Sequence, residues 1–327
     1  MGGEPTTDLQ ILARPSLSTE PRTSLSAHGS CPGAKKIPSQ RRMFAVSLRV
    51  TIMTTLQFTR QAARKLDSVY ASPDIVAQRG ATLQCLAVSP GEAVIDIGCG
   101  PGFLSLDIAA AVGSTGRVLG IDISEDILRL AGEKNGCSWV TFRRGDATTI
   151  EVPDANFDAV VCVQVLEYIV DVDRALAEMI RVLKPGGRAL IIDTDWDGVV
   201  WYSDNADRMA RVLDAWASHC PHPGLPRTLA PRLSAVGFDV GAVTGYPIIN
   251  THGDEESYSH GLMDLIVDFV GKQGSVDRGE LMDWAAEQET IAAESRYFFS
   301  TLRCLFRATK PCHRSTYPRR HAPHNHT

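Results

Sequence analysis

Five short apolar runs recur through the middle of the chain, at Ala93–Ile97, Val118–Asp122, Trp139–Arg143, Ala159–Val163 and Ala189–Asp193. Most are continuously apolar rather than alternating, which is the pattern of strands covered on both faces. Helical stretches separate them. The clearest is Asp173–Leu183, where Leu176, Met179, Ile180 and Leu183 recur at three- and four-residue spacing and Pro185-Gly186-Gly187 ends the run. Another covers Pro73–Leu86, and a third begins at Phe103 or Leu104. Strand–helix repetition of this kind predicts a doubly wound, mostly parallel α/β sheet.

After Asp193 the rhythm changes. Helices are predicted at Asp204–Ser218 and Leu229–Val236, a strand at Asp239–Ile249, helices near Tyr258–Val270 and Arg278–Ser295, and a last strand at Tyr297–Thr309. The expected architecture is a Rossmann-like sheet of seven strands with a helical lid inserted between the last strands. The domain would span 56–310, with lid segments at about 196–225 and 250–296.

The two ends read differently. Residues 1–55 are rich in Ser, Thr, Pro and Arg, and no acidic residue lies between Arg22 and Lys65. Such a stretch reads as a disordered tail, as sequence upstream of a start at Met43 or Met53, or as an organelle leader. Residues 311–327, with His321, His324 and His326 among Pro and Asn, read as a solvated tail. Composition narrows the partners. A formal net charge of -5 gives no attraction to nucleic acid. No apolar run reaches the roughly 20 residues of a membrane span, so no integral membrane contact is expected. The eight cysteines form no C-x-x-C pair, which argues against a zinc site or disulfide framework and for a cytoplasmic protein. Nothing in the sequence bears on oligomeric state.

The most informative segment is Val94-Ile-Asp-Ile-Gly-Cys-Gly-Pro-Gly-Phe103. A buried strand runs into a turn with Gly98, Gly100 and Gly102, where a backbone without Cβ atoms lets a ligand come close. In an open parallel sheet this carboxyl end is where ligands sit. The dinucleotide pattern G-x-G-x-x-G would need glycine at 103, where the chain has Phe103. Asp96, two residues before the turn, suits a cationic ligand better than a pyrophosphate. Both features argue against a nicotinamide-dependent oxidoreductase. Twenty residues past Gly102, Gly120-Ile-Asp-Ile-Ser124 places Asp122 where a carboxylate can accept ribose hydroxyls, or cap a helix. Arg144-Gly-Asp-Ala147 sets Asp146 at the end of the third strand, as an adenine-edge acceptor or a turn residue.

These segments, with Phe157-Asp158 and Leu183-Lys-Pro-Gly-Gly187, stand in the order and spacing of class I S-adenosylmethionine-dependent methyltransferases. The chain most resembles the group containing ubiquinone/menaquinone-biosynthesis and small-molecule methyltransferases, over roughly Val69–Asp193. The resemblance implies S-adenosyl-L-methionine as cofactor. It implies that Asp96, Gly98, Cys99, Gly100 and Gly102 hold the methionine end, that Asp122 takes the ribose, and that Ile123 packs on adenine. Asp146 and Ala147 would meet the adenine edge, with Gln164 beside the cofactor. Glu167-Tyr168 stands where many relatives carry Glu-His, a departure that removes a histidine base.

The implied reaction moves a methyl group to a small, apolar or aromatic metabolite by in-line displacement. Candidate catalytic groups are His252, Tyr258, His260 and Asp195, with Asp193, Trp196 and Tyr202 nearby. The bland reading of the two histidines is a surface position near a helix start. Trp196, Trp201 and Trp216 would wall an apolar pocket or sit in the core. Asp254 and Glu255 read as helix caps. Arg79 could meet the cofactor carboxylate or lie exposed on its helix. Tyr70 and the Pro73–Leu86 helix would fold over the cofactor. The alternative from another class is a non-catalytic S-adenosylmethionine-binding protein acting as a sensor or assembly partner.

Overall fold

The computed structural model describes Asp67 and residues 69–312; the predicted leader, 1–55, and the tail beyond Cys312 lie outside the described residues. Helix α1 (Pro73–Leu86) precedes β1 (Ala93–Ile97), α2 (Phe103–Val112), β2 (Arg117–Asp122), α3 (Glu125–Lys134), β3 (Val140–Arg144) and β4 (Phe157–Val163). The chain continues through α4 (Val172–Val182), β5 (Leu183–Thr194), the two-residue β6 (Val200–Trp201), α5 (Ala206–Ala217) and α6 (Pro226–Ala235). Strand β7 (Asp239–Asn250), α7 (Tyr258–Gln273), α8 (Arg278–Ala293) and β8 (Phe299–Thr309) complete it.

Strands β3, β2, β1, β4 and β5 lie side by side in that order, all parallel. Strand β8 runs antiparallel to β5 on one side and to β7 on the other. The seven expected strands are joined by an eighth, β6, which meets Phe299 and Ser300 of β8, while β5 pairs 303–309. Strand β5 starts earlier than its apolar run suggests. Leu183 pairs with Phe157 across a register shift, so Lys184-Pro-Gly-Gly187 enters the sheet as a bulge instead of standing outside it. Ser257 caps α7 by accepting from the His260 amide, and Asp254 and Glu255 do not.

Alternation along each strand splits the core. Ile95, Ile97, Val160, Cys162, Ile191 and Phe306 face α4 and α6, through Leu176, Met179, Leu229 and Leu233. Val94, Ala159, Val161, Leu190, Ile192 and Leu305 face α1 and α2, through Leu86, Leu104, Ile108 and Val112. Helices α5, α7 and α8 form a separate cluster with Trp196, Trp201, Tyr258 and Phe299, which Ile75 of α1 joins. That third cluster sits beyond the carboxyl ends of β4 and β5, where the lid was expected.

Leu176 is fully buried in the layer under the parallel strands. Leu176→Ala should cost about 2–5 kcal/mol, measured as a lower urea midpoint at unchanged slope.

Candidate functional site

Strand β1 ends in a turn that only glycine allows. Gly98 has φ +67°, and a Cβ there would stand 2.2 Å from Val165 Cγ2. The amides of Gly98 and Cys99 both donate to Ile121 O, at 2.8 and 2.9 Å, which ties the turn to the end of β2. Gly102, φ +82°, begins α2 by packing against Phe142 and Ala131, so its missing Cβ serves helix packing instead of a ligand.

Two carboxylates flank the turn. Asp96 is buried in β1, and Ser105 Oγ donates to its Oδ2 at 2.6 Å. Burial pushes the Asp96 carboxyl up to about 7 and the charge of Asp122 adds to this, while the Ser105 bond pulls the other way. Asp122 Oδ2 accepts from the Gly100 amide at 3.1 Å and Oδ1 from the Ser124 amide at 2.9 Å. It clamps the turn against the next loop. Burial raises its carboxyl too, against those amides.

A cavity of about 320 Å³ opens over the turn. Gly98, Gly100, Asp122, Ile123, Asp146, Ala147 and Gln164 all line it, with Tyr70 and Tyr168. Asp146 Oδ1 also accepts from the amide and hydroxyl of Thr148, both at 2.7 Å, so the turn reading of Asp146 holds alongside its place in the wall. Gln164 is left-handed at φ +57°, held by its amide to Ile192 O and by Thr194 Oγ1 donating to its Oε1. Asp96 and Cys99 line a narrower cleft of about 40 Å³ with Gln78, Arg79 and Arg303. Arg79 donates to Asp107 at 3.0 Å and to Tyr70 O at 2.6 Å, so it is engaged, not free on its helix. Gly102 lines neither space.

A third cavity, about 80 Å³, lies on the other side of Tyr70 and Gln164. Trp196, Trp216, Tyr258, Leu262 and Leu265 wall it, and Glu167 and Arg303 supply its charge. Glu167 is fully buried; its Oε2 accepts from Trp196 Nε1 at 2.9 Å and its Oε1 has no partner. Burial raises Glu167 to about 7, with Trp196 and Arg303 pulling it down. Asp193, at the end of β5, is likewise fully buried, and burial with the nearby Glu167 raises it strongly.

Of the four catalytic candidates, only Tyr258 reaches these cavities. His252 is exposed beside Thr251 Oγ1 at 3.1 Å, and His260 is half-buried on α7. Asp195 is held by Arg227 at 2.9 Å and lines none of these three cavities. Trp201 packs on Trp284 and Phe299 in the core, and Tyr202 is at the surface with Asp204 and Arg296. Sequence reasoning missed Arg303, Gln78 and His219. His219 is buried, stacked on Trp216 at 3.9 Å, and desolvation lowers it to about 4, so it stays neutral. Among the described residues no group of three or more His, Cys, Asp and Glu side chains could hold a metal. No helix there is long and apolar enough to cross a membrane.

Residues 88–223 match the family model described as a methyltransferase domain. The chain is 39% identical over 111 residues to the 2-phytyl-1,4-naphtoquinone methyltransferase of Synechococcus elongatus, which covers 33% of this chain and 48% of that one. It is 35% identical over 119 residues to the demethylmenaquinone methyltransferase of Desulfitobacterium hafniense, covering 35% and 47%. The chain thus spans about half the length of these relatives. Among solved structures, a methyltransferase-titled protein from Bacillus halodurans aligns with TM-score 0.52 at 20% identity, over 72% of this chain and 99% of that one. Phosphoethanolamine N-methyltransferase 2 of Haemonchus contortus, solved with S-adenosyl-L-methionine, aligns with TM-score 0.52 at 21% identity, over 78% and 58%. These two likenesses are of fold.

A carboxyl raised to about 7 at Asp96 predicts a pH dependence for any cationic ligand bound beside it. A cationic ligand selects the ionised carboxylate, so affinity for S-adenosylmethionine should rise about tenfold from pH 6 to pH 8 as Asp96 loses its proton. Asp96→Asn should bind more weakly and without that dependence. Calorimetric titration at several pH values measures both.

Proposed function

We propose that this chain, whose residues 88–223 carry a methyltransferase domain, transfers a methyl group from S-adenosylmethionine to a small apolar or aromatic acceptor. The observation carrying this reading is the pair of cavities meeting at Tyr70, Gln164 and Tyr168, one with carboxylates and glycines, the other with indoles. The larger cavity, together with the narrow cleft that Asp96 lines, fits the cofactor in its donor set. Asp96 would hold the ammonium group, Asp122 the ribose hydroxyls, and Ile123 with Ala147 the adenine. Bound there, the cofactor supplies a methyl carbon whose bond to sulfur breaks with the electron pair going to sulfur, as the acceptor atom forms the new bond.

The protein's part is positioning and the acceptor's proton. Holding the two reactants in line is worth roughly 7–11 kcal/mol of the barrier. Trp196, Trp216 and Leu262 exclude water from the acceptor side and suit a flat, apolar molecule. The names of the two relatives, which carry a naphthoquinone and a menaquinone, agree with a ring acceptor of the quinone type. Glu167 is the group suited to take the proton. It is buried at the cavity wall with one oxygen unpartnered, and near pH 7 it exists in both charge states.

Labelled S-adenosylmethionine incubated with a panel of ring and chain acceptors tests the reading. Transfer to at least one apolar ring compound is expected; tight cofactor binding with no transfer to any acceptor would favour a sensor. At saturating cofactor, kcat should rise with pH through about 7 as Glu167 ionises. Glu167→Gln should lower kcat by about 10²–10⁴-fold and flatten that profile while leaving cofactor affinity unchanged.

A further inference from the structure

The cavity lined by indoles has a permanent cation in its wall. Arg303 comes from β8, is 4% exposed, and lines both this cavity and the cleft beside Asp96. Its Nη1 donates to Gln78 Oε1 of α1, its guanidinium carbon stands 5.1 Å from the centroid of the Tyr258 ring, and its Nε has no partner. Among the described residues it makes no ion pair. A buried guanidinium is costly unless an anion or several acceptors answer it. The carboxyls whose charges act across this space, Glu167 and Asp193, are both pushed by burial toward the protonated form. They leave the arginine charge partly uncancelled.

We infer that Arg303 is the anion receptor of the acceptor pocket, taking an anionic oxygen of the methyl acceptor, either a carboxylate or an ionised ring hydroxyl. The inference rests on the methyltransferase reading above. Position favours the acceptor over the cofactor's own carboxylate. Arg79 lines only the cleft on the cofactor side, whereas Arg303 reaches through to Tyr258, Trp196 and Trp216. An anion on Arg303 would be held between the cleft beside Asp96 and the indole-lined cavity, which fixes the acceptor's apolar part against the indoles. Its planar fork also fixes orientation as well as charge, in a way a lysine ammonium does not. Arg303 is thus a positioning and specificity residue for the acceptor.

Binding, not turnover, provides the test. Protein saturated with S-adenosylhomocysteine is titrated calorimetrically with benzoate, 4-nitrophenolate and 4-nitroanisole. At least one anion should bind better than the neutral ether, and which one identifies carboxylate or hydroxyl as the source. Arg303→Gln should weaken that anion by roughly ten- to a hundredfold. It should leave 4-nitroanisole and S-adenosylmethionine within about twofold, and Arg303→Lys should recover part of the loss. The inference is overturned if the wild-type protein does not prefer either anion. It is equally overturned if Arg303→Gln weakens S-adenosylmethionine while sparing the anions, which would make the cofactor carboxylate the ligand. Anion selectivity with no methyl transfer to any acceptor would sink the function proposed above and spare this receptor. The wild-type comparison stands even if Arg303→Gln does not fold.

Discussion

All five residues of β1 are buried, and the fourth is Asp96, so a carboxylate must be kept where water does not reach it. Much of the site follows from that constraint. An isolated anion in such a place is costly, and the group answers by staying protonated or finding donors. The structure supplies one side-chain donor, Ser105, two positions into α2. Ser105 is in reach because the chain turns at once after Ile97, and the turn can be that abrupt because Gly98 has no Cβ to meet Val165. What one hydroxyl leaves unsatisfied, a cationic ligand can complete.

The same economy recurs along the carboxyl edge of the sheet. Glu167 follows β4 and Asp193 ends β5, and both are fully buried carboxyls that burial pushes toward the protonated form. A protein built for stability alone would place apolar groups here, since breaking even with buried charge takes good pairing. Three neighbouring strands instead carry acids to one edge. The opposing positive charge comes from the antiparallel strand β8 and is anchored on α1 through Gln78. Negative groups thus belong to the parallel half of the sheet and the counter-charge to its antiparallel extension.

How much of this could be read in the sequence depends on the distance between partners. Strands β1 to β4 and helices α1, α2 and α4 were legible within a few residues, because apolar runs and 3.6-residue spacing are local signals. The turn at Gly98 with Asp96 and Asp122 was legible as well, since all of it lies within one strand–helix–strand unit. Arg303 was not. It is one arginine in a strand of alternating burial, and its partner Gln78 is 225 residues away. His252 and His260 were singled out for their chemistry, yet the exposed loop before α7 turns His252 to solvent and His260 lies outside the cavity wall. His219 gave no signal, because what makes it notable is its stacking on Trp216 and burial under Phe269, contacts between helices. The bulge at Lys184-Pro-Gly-Gly187 was hidden for a different reason: its residues are those of a helix stop, and only pairing with β4 makes them sheet.

Strand β8 is the last described element of the chain, yet it lies inside the sheet, between β5 and β7. During synthesis every other described helix and strand leaves the ribosome before it does. Until then β5 and β7 each present an unpaired edge, and no neighbour joins them. Non-local pairing of this kind is slow, because the intervening chain must be gathered before any contact repays it. The glycine turn at Gly98 can therefore form on the nascent chain, while the wall that Arg303 gives to the indole-lined cavity waits for the final strand. A ribosome-bound intermediate would thus have the turn beside Asp96 in place before the arginine-bearing wall exists.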